Sequence, residues 1–96
     1  MKTHRLKTWP SEFEAVRSGV KRFEVRSNRD RDFAVGDILA LEHWDPGMYE
    51  GRGGYVRGQD AFGIDSVFVR VTYILHGGRF SLPEGVCVMS VELEVE

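Results

Sequence analysis

The chain has 96 residues, 42% of them hydrophobic and 29% charged, with a formal net charge of −2 at pH 7. A chain this short buries only about 60–65% of its unfolded surface, which describes one compact domain and excludes a second core or a large cofactor-binding fold. No apolar run approaches the roughly 18 residues that cross a bilayer. The opening Met1-Lys2-Thr3-His4-Arg5 leads into no signal-peptide core, and the single cysteine, Cys87, supplies neither an internal disulfide nor a thiolate metal site. The expectation is a cytoplasmic protein with no cofactor, no metal and no membrane partner. Charge is unevenly spread: residues 1–32 carry nine basic side chains against five acids, and the remaining 64 carry four against ten. Such clustering creates a local potential that attracts anions even on a mildly acidic protein, although solvated surface charge produces the same statistics.

In chain order, Thr3–Thr8 reads as an edge strand with Leu6 facing inward. Trp9–Gly19 carries helix signals at both ends: Pro10 suits a first turn, Ser11 and Glu14 have capping-box spacing, and Gly19 can take the left-handed conformation that ends a helix. Phe13 and Val16 form its apolar stripe. Arg22-Phe23-Glu24-Val25-Arg26 alternates strictly, so a strand there is predicted to bury Phe23 and Val25 and to turn Glu24 and Arg26 to the opposite face. A charged loop over 27–32 and a turn over 33–37 precede a strand at Ile38–Trp44. Either Ile38, Ala40 and Glu42 or Leu39, Leu41 and His43 face inward, with Asp37 and Glu42 hinting at the second set. Residues 45–66 hold six of the eleven glycines and read as a glycine-rich arm or flap, partly disordered. Two β-branched strands, 67–75 and 86–95, flank a turn-like link. Five strands and one short helix predict an α+β, mainly β domain: a small barrel with the helix plugging one end.

The search for chemistry eliminates more than it finds. His4, His43 and His76 are dispersed, with no ligand partner at metal spacing. Cys87 lies in an apolar strand and reads as a buried, inert thiol. One constellation stands out, Gly19-Val20-Lys21-Arg22-Phe23-Glu24-Val25-Arg26. The glycine reverses the chain after the helix, Lys21 is delivered at the strand entrance, and Glu24 and Arg26 project from one strand face. An acid and a guanidinium on one face hold each other in fixed rotamers, which preorganises the arginine for a planar partner. The bland alternative is a surface ion pair contributing about 0–1 kcal/mol.

This run resembles the G-x-K-x-x-E-x-R signature of ASCH domains, a branch of the PUA-like superfamily, and in particular its small bacterial and prophage members of unassigned role. The resemblance extends through His4-x-Leu6-Lys7, Trp9-Pro10, Asp30-Arg31-Asp32-Phe33, Val35-Gly36-Asp37 and Leu82-Pro83-Glu84-Gly85, so it spans most of residues 1–96 except 45–66. It implies one PUA-like barrel with a cleft lined by Lys21, Glu24 and Arg26, with Lys7, Trp9 and Arg31 at the rim, and RNA or a nucleotide as ligand. Trp9, with Tyr49 or Tyr55, would stack on bases. Some ASCH-like proteins are amidohydrolases acting on acetylated cytidine through the signature lysine and a threonine three residues later. Here Lys21 is present and Glu24 replaces that threonine, so an enzyme reading assigns catalysis to Lys21 and Glu24. A third reading makes the 45–66 arm a docking surface for a protein partner.

Overall fold

The computed structural model describes residues 1–94 and has an α+β, mainly β architecture. Its elements are β1 (Thr3–Thr8), α1 (Pro10–Arg17), β2 (Phe23–Ser27), β3 (Ile38–Asp45), a single turn α2 (Met48–Gly51), the two-residue β4 (Gly54–Tyr55), β5 (Ser66–His76) and β6 (Val86–Leu93). Val95, the expected last residue of the final strand, lies outside the described residues. Among the described residues there are six strands where five were expected. The sheet runs β1-β3-β5-β6-β2, with β1 parallel to β3, the other neighbours antiparallel, and β4 attached to β3. A bulge between Val71 and Tyr73 interrupts the long β5, which pairs with β3 over Ser66–Arg70 and with β6 over Val69–His76.

The order begins at β1 and ends at β2, so the expected barrel is not closed by backbone pairing. On the outer edge of β1 the carbonyls of Arg5 and Lys7 accept hydrogen bonds from the guanidiniums of Arg31 (3.3 Å) and Arg26 (3.0 Å) in place of strand amides. The sheet curls around Leu6, Leu39, Leu41, Val69, Val71, Cys87, Met89 and Val91, with Val16 of α1 packed among them. Phe13, also fully buried, stacks on His43 with ring centroids 4.4 Å apart. Burial pushes the Cys87 thiol pKa upward, as suits a side chain that acts as a small hydrophobe.

Helix α1 starts two residues earlier than a Ser11 cap requires. Trp9 is the N-cap and makes no side-chain capping bond, while Ser11 turns to Glu12 at 3.4 Å, so the Ser11/Glu14 capping box does not form. Gly19 does adopt a φ of +85°, and the reversal it allows lets the Lys21 amide reach back to the Ala15 carbonyl at 3.0 Å.

On β3 the set Leu39, Leu41 and His43 faces the core, yet Ile38, Ala40 and Glu42 are buried too. Ile38 and Ala40 lie opposite Arg70 and Phe68 of β5, and Glu42 is covered by the 45–66 segment, which is tied back to the sheet and is no free flap. Asp60 organises it, accepting hydrogen bonds from the Phe62 and Ile64 amides (2.7 and 2.9 Å), the Ser66 hydroxyl (2.8 Å) and Arg5 Nη2 (2.6 Å). Arg5 also donates to Glu42 at 2.8 Å and lies 4.3 Å from the Phe62 ring centroid. Although burial alone would raise the pKa of Asp60, these donors hold it well below the usual carboxylate range. Among the described residues no helix is long and apolar enough to cross a membrane.

A second buried carboxylate ties the N-terminus to β3. Asp37 accepts from His4 Nε2 (2.8 Å) and from the Lys2 and Ala34 amides (both 3.0 Å). Burial opposes its charge, but the three donors prevail and lower its pKa from 3.8 to about 2. A depressed carboxylate stabilises the fold above its unfolded pKa, and that stability is lost as pH falls through the folded value. The shift amounts to about 2 kcal/mol. Chemical denaturation across pH is therefore expected to show the advantage of wild type over Asp37→Asn shrinking by about this amount between pH ~4 and pH ~2. An advantage independent of pH would contradict the assignment.

Candidate functional site

The gap between β1 and β2 is a cleft of about 340 Å³ lined by Lys7, Thr8, Trp9, Glu12, Lys21, Phe23, Glu24, Val25 and Arg26. Its floor corrects the predicted facing of β2. Glu24 is 1% exposed, whereas Phe23 and Val25 are 46% and 50% exposed. The alternation is as expected and its sense is inverted, because the β2–β6 register places Glu24 opposite Met89 and Arg26 opposite Cys87. Both partners belong to the core, so the polar residues of β2 face inward.

Burying a carboxylate costs several kcal/mol unless charge and hydrogen bonds offset it. Glu24 Oε1 accepts from Arg26 Nε at 3.1 Å and Nη2 at 2.8 Å. Arg26 also donates from Nη1 to the Lys7 carbonyl and from Nη2 to Thr8 Oγ1, both at 3.0 Å. The Thr8 hydroxyl donates in turn to the Leu6 carbonyl at 3.1 Å. A guanidinium has five N–H groups, so these four bonds leave one on Nη1. Glu24 Oε2 is different. It lies 3.2 Å from Lys21 Nζ without the alignment of a hydrogen bond and is a buried oxygen with no hydrogen-bond partner among the described residues.

Lys21 Nζ donates to Glu12 Oε1 at 2.8 Å. Burial disfavours the charged ammonium, but the bond to Glu12 and the negative charge of Glu24 outweigh it, and the Lys21 pKa is raised. The lysine is thus a fixed cation near neutral pH, able to donate hydrogen bonds and unsuited to act as a base. Lys7, Lys21 and Arg26 against Glu12 and Glu24 give the lining a formal charge of +1, with Lys21 and Arg26 each paired to a carboxylate and the Lys7 ammonium turned to Trp44. The free capacity of the cleft is one acceptor oxygen flanked by cationic donors. Trp9, 62% exposed, stands at the rim where the chain enters α1.

Of the residues singled out from sequence, Lys21, Glu24 and Arg26 converge here and Trp9 joins them. Lys7 contributes its carbonyl to Arg26, while its ammonium lies 3.9 Å from the Trp44 ring centroid. Arg31 is not among the residues lining the cleft. It sits farther along the same edge of β1, on the Arg5 carbonyl. Tyr49 and Tyr55 do not line the cleft either, and Tyr55 packs edge-on against Trp44. Sequence reading missed Thr8 and Glu12. The alternation of β1 places Thr8 on the face of Leu6, which was a usable signal, but Glu12 is one of several helix-surface acids and nothing local distinguishes it.

Residues 3–91 match the family described as a domain of unknown function (DUF3850), and the chain belongs to that family. It is also 39% identical over 51 residues to an uncharacterized 12.9 kDa protein in the GpA 3′ region of Escherichia phage P2. That similarity covers 53% of this chain and 46% of the phage protein, so the match spans about half the length of the relative.

The Glu24–Arg26 pair predicts its own mutational signature. Removing one partner leaves the other buried without compensation, so Arg26→Met is expected to destabilise the fold by about 2–3 kcal/mol. Adding Glu24→Leu should recover part of that loss, giving a non-additive double-mutant cycle in denaturant titrations. Simple additivity would show that the pair is not coupled.

Proposed function

We propose that this chain is a small nucleic-acid-binding module of the ASCH, PUA-like type, whose cleft receives one unpaired nucleobase of an RNA or nucleotide. The observation that carries this reading is the buried Glu24 Oε2, an acceptor without a hydrogen bond at the floor of a cleft that exposes an aromatic side chain at its rim. Lys21 and Arg26 are each already paired with a carboxylate, which gives a phosphate little reason to enter. An edge that donates one hydrogen bond and accepts others suits Glu24, Lys21 and Arg26, and nucleobase edges combine donors and acceptors in this way. Splayed-out bases of single-stranded RNA are commonly held by stacking together with edge hydrogen bonds, which gives Trp9 its role. The basic surplus of residues 1–32 supports attraction of a polyanion, and the signature run supports RNA over other ligands.

Anisotropy titrations with labelled 12-mers of each ribonucleotide at low salt test the reading. Binding of at least one is expected, with Trp9→Ala weakening it about 10- to 100-fold, the worth of one stacked base. Glu24→Gln, which keeps the shape and removes the anionic acceptor, should alter the preference among the four. Absence of binding to all four removes the proposal.

The charged state of Lys21 favours a second reading, a hydrolase in which Lys21 stabilises an oxyanion and Glu24 moves the proton. Turnover of acylated nucleosides that disappears in both Lys21→Ala and Glu24→Gln would support it. Activity unchanged in Lys21→Ala would exclude it.

A further inference from the structure

Two arginines that follow β2 play no part in the cleft, and each is seated in the same unusual way. Arg31 Nη2 donates to the Arg5 carbonyl at 3.3 Å, and Arg29 Nη2 donates to the Glu84 carbonyl at 3.0 Å. The seat for Arg29 is shaped by Gly85, where a Cβ would lie 2.5 Å from Arg29 Nε and 2.6 Å from Cζ. Gly85 also accepts the Asn28 amide at 2.9 Å, which fixes the start of the loop against it. A carbonyl orients a guanidinium without neutralising it, whereas a carboxylate does both. Asp30 and Asp32 alternate with the two arginines in sequence, yet among the described residues neither Arg29 nor Arg31 takes part in an ion pair. Both side chains are exposed.

Position adds to this. Arg26 and Arg31 occupy the Lys7 and Arg5 carbonyls, two residues apart on one strand edge and hence about 7 Å apart. That interval is comparable with the separation of successive phosphates in an extended single strand. The cleft thus opens beside two oriented guanidiniums on the edge of β1, Arg26 and Arg31, and the same 28–32 loop holds a third, Arg29, on the Glu84 carbonyl.

We infer that Arg31 and Arg29 form a phosphate-tracking edge, so that the ligand is a strand whose backbone passes over them while one of its bases occupies the cleft. The inference rests on the nucleobase reading above and adds to it the requirement for a polynucleotide. Its test is the salt dependence of 12-mer binding measured for wild type, Trp9→Ala, Arg29→Gln/Arg31→Gln and Arg29→Lys/Arg31→Lys, each checked for folding by circular dichroism. Two phosphate contacts on a single strand contribute about 1.4 to the slope of log K against log salt. The glutamine pair is expected to lower the slope by about that amount and to reduce low-salt affinity about 10-fold. The lysine pair should retain most of the slope, and Trp9→Ala should lose affinity at unchanged slope. A wild-type slope in the glutamine pair overturns the tracking edge and leaves the base cleft standing. Failure of the wild type to bind any 12-mer overturns both.

Discussion

The structure depends on accommodating the Glu24 carboxylate inside the protein. Placed opposite Met89 and excluded from water, it is compensated by Arg26 along one oxygen and by the Lys21 charge beside the other. Arg26 reaches from β2 to the Lys7 carbonyl and the Thr8 hydroxyl, so a side chain spans the gap that backbone hydrogen bonds would have closed. The ion pair therefore organises the sheet and, in doing so, leaves a cleft.

Three of the carboxylates with buried side chains differ in how fully their oxygens are partnered. Asp37 and Asp60 are saturated by three and four donors, respectively, and each ties distant segments together. Their charge is fully used within the fold. Glu24 spends one oxygen on Arg26 and keeps the other without a hydrogen bond. Buried polar atoms are nearly always partnered, and the Glu24 oxygen beside the open cleft is an exception.

The arginines divide along similar lines. Arg5 is committed to Glu42 and Asp60 and packs against Phe62, which locks the 45–66 segment onto the sheet. Arg26 is held by Glu24, Thr8 and Lys7 with one N–H to spare. Arg29 and Arg31 lean only on carbonyls and keep their charge for solvent or ligand. The positive surplus of the first third of the chain thus resolves into arginines paired with carboxylates and arginines held only by carbonyls.

Local chemistry determined the elements of this fold. Alternation defined β2, β-branched runs defined β5 and β6, and Pro10 with Gly19 bounded α1, because each of those signals acts over a few residues. The grouping of Lys21, Glu24 and Arg26 was legible for the same reason, as they lie within one turn and one strand. The face that β2 presents was decided by its register with β6, which set Glu24 against Met89 and overrode the apolar preference of Phe23 and Val25. The double burial of β3, the docking of the glycine-rich segment through Asp60, and the recruitment of Thr8 and Glu12 likewise required tertiary structure. Each depends on partners far apart in the chain, and the energy of a buried charge is settled by what surrounds it in space.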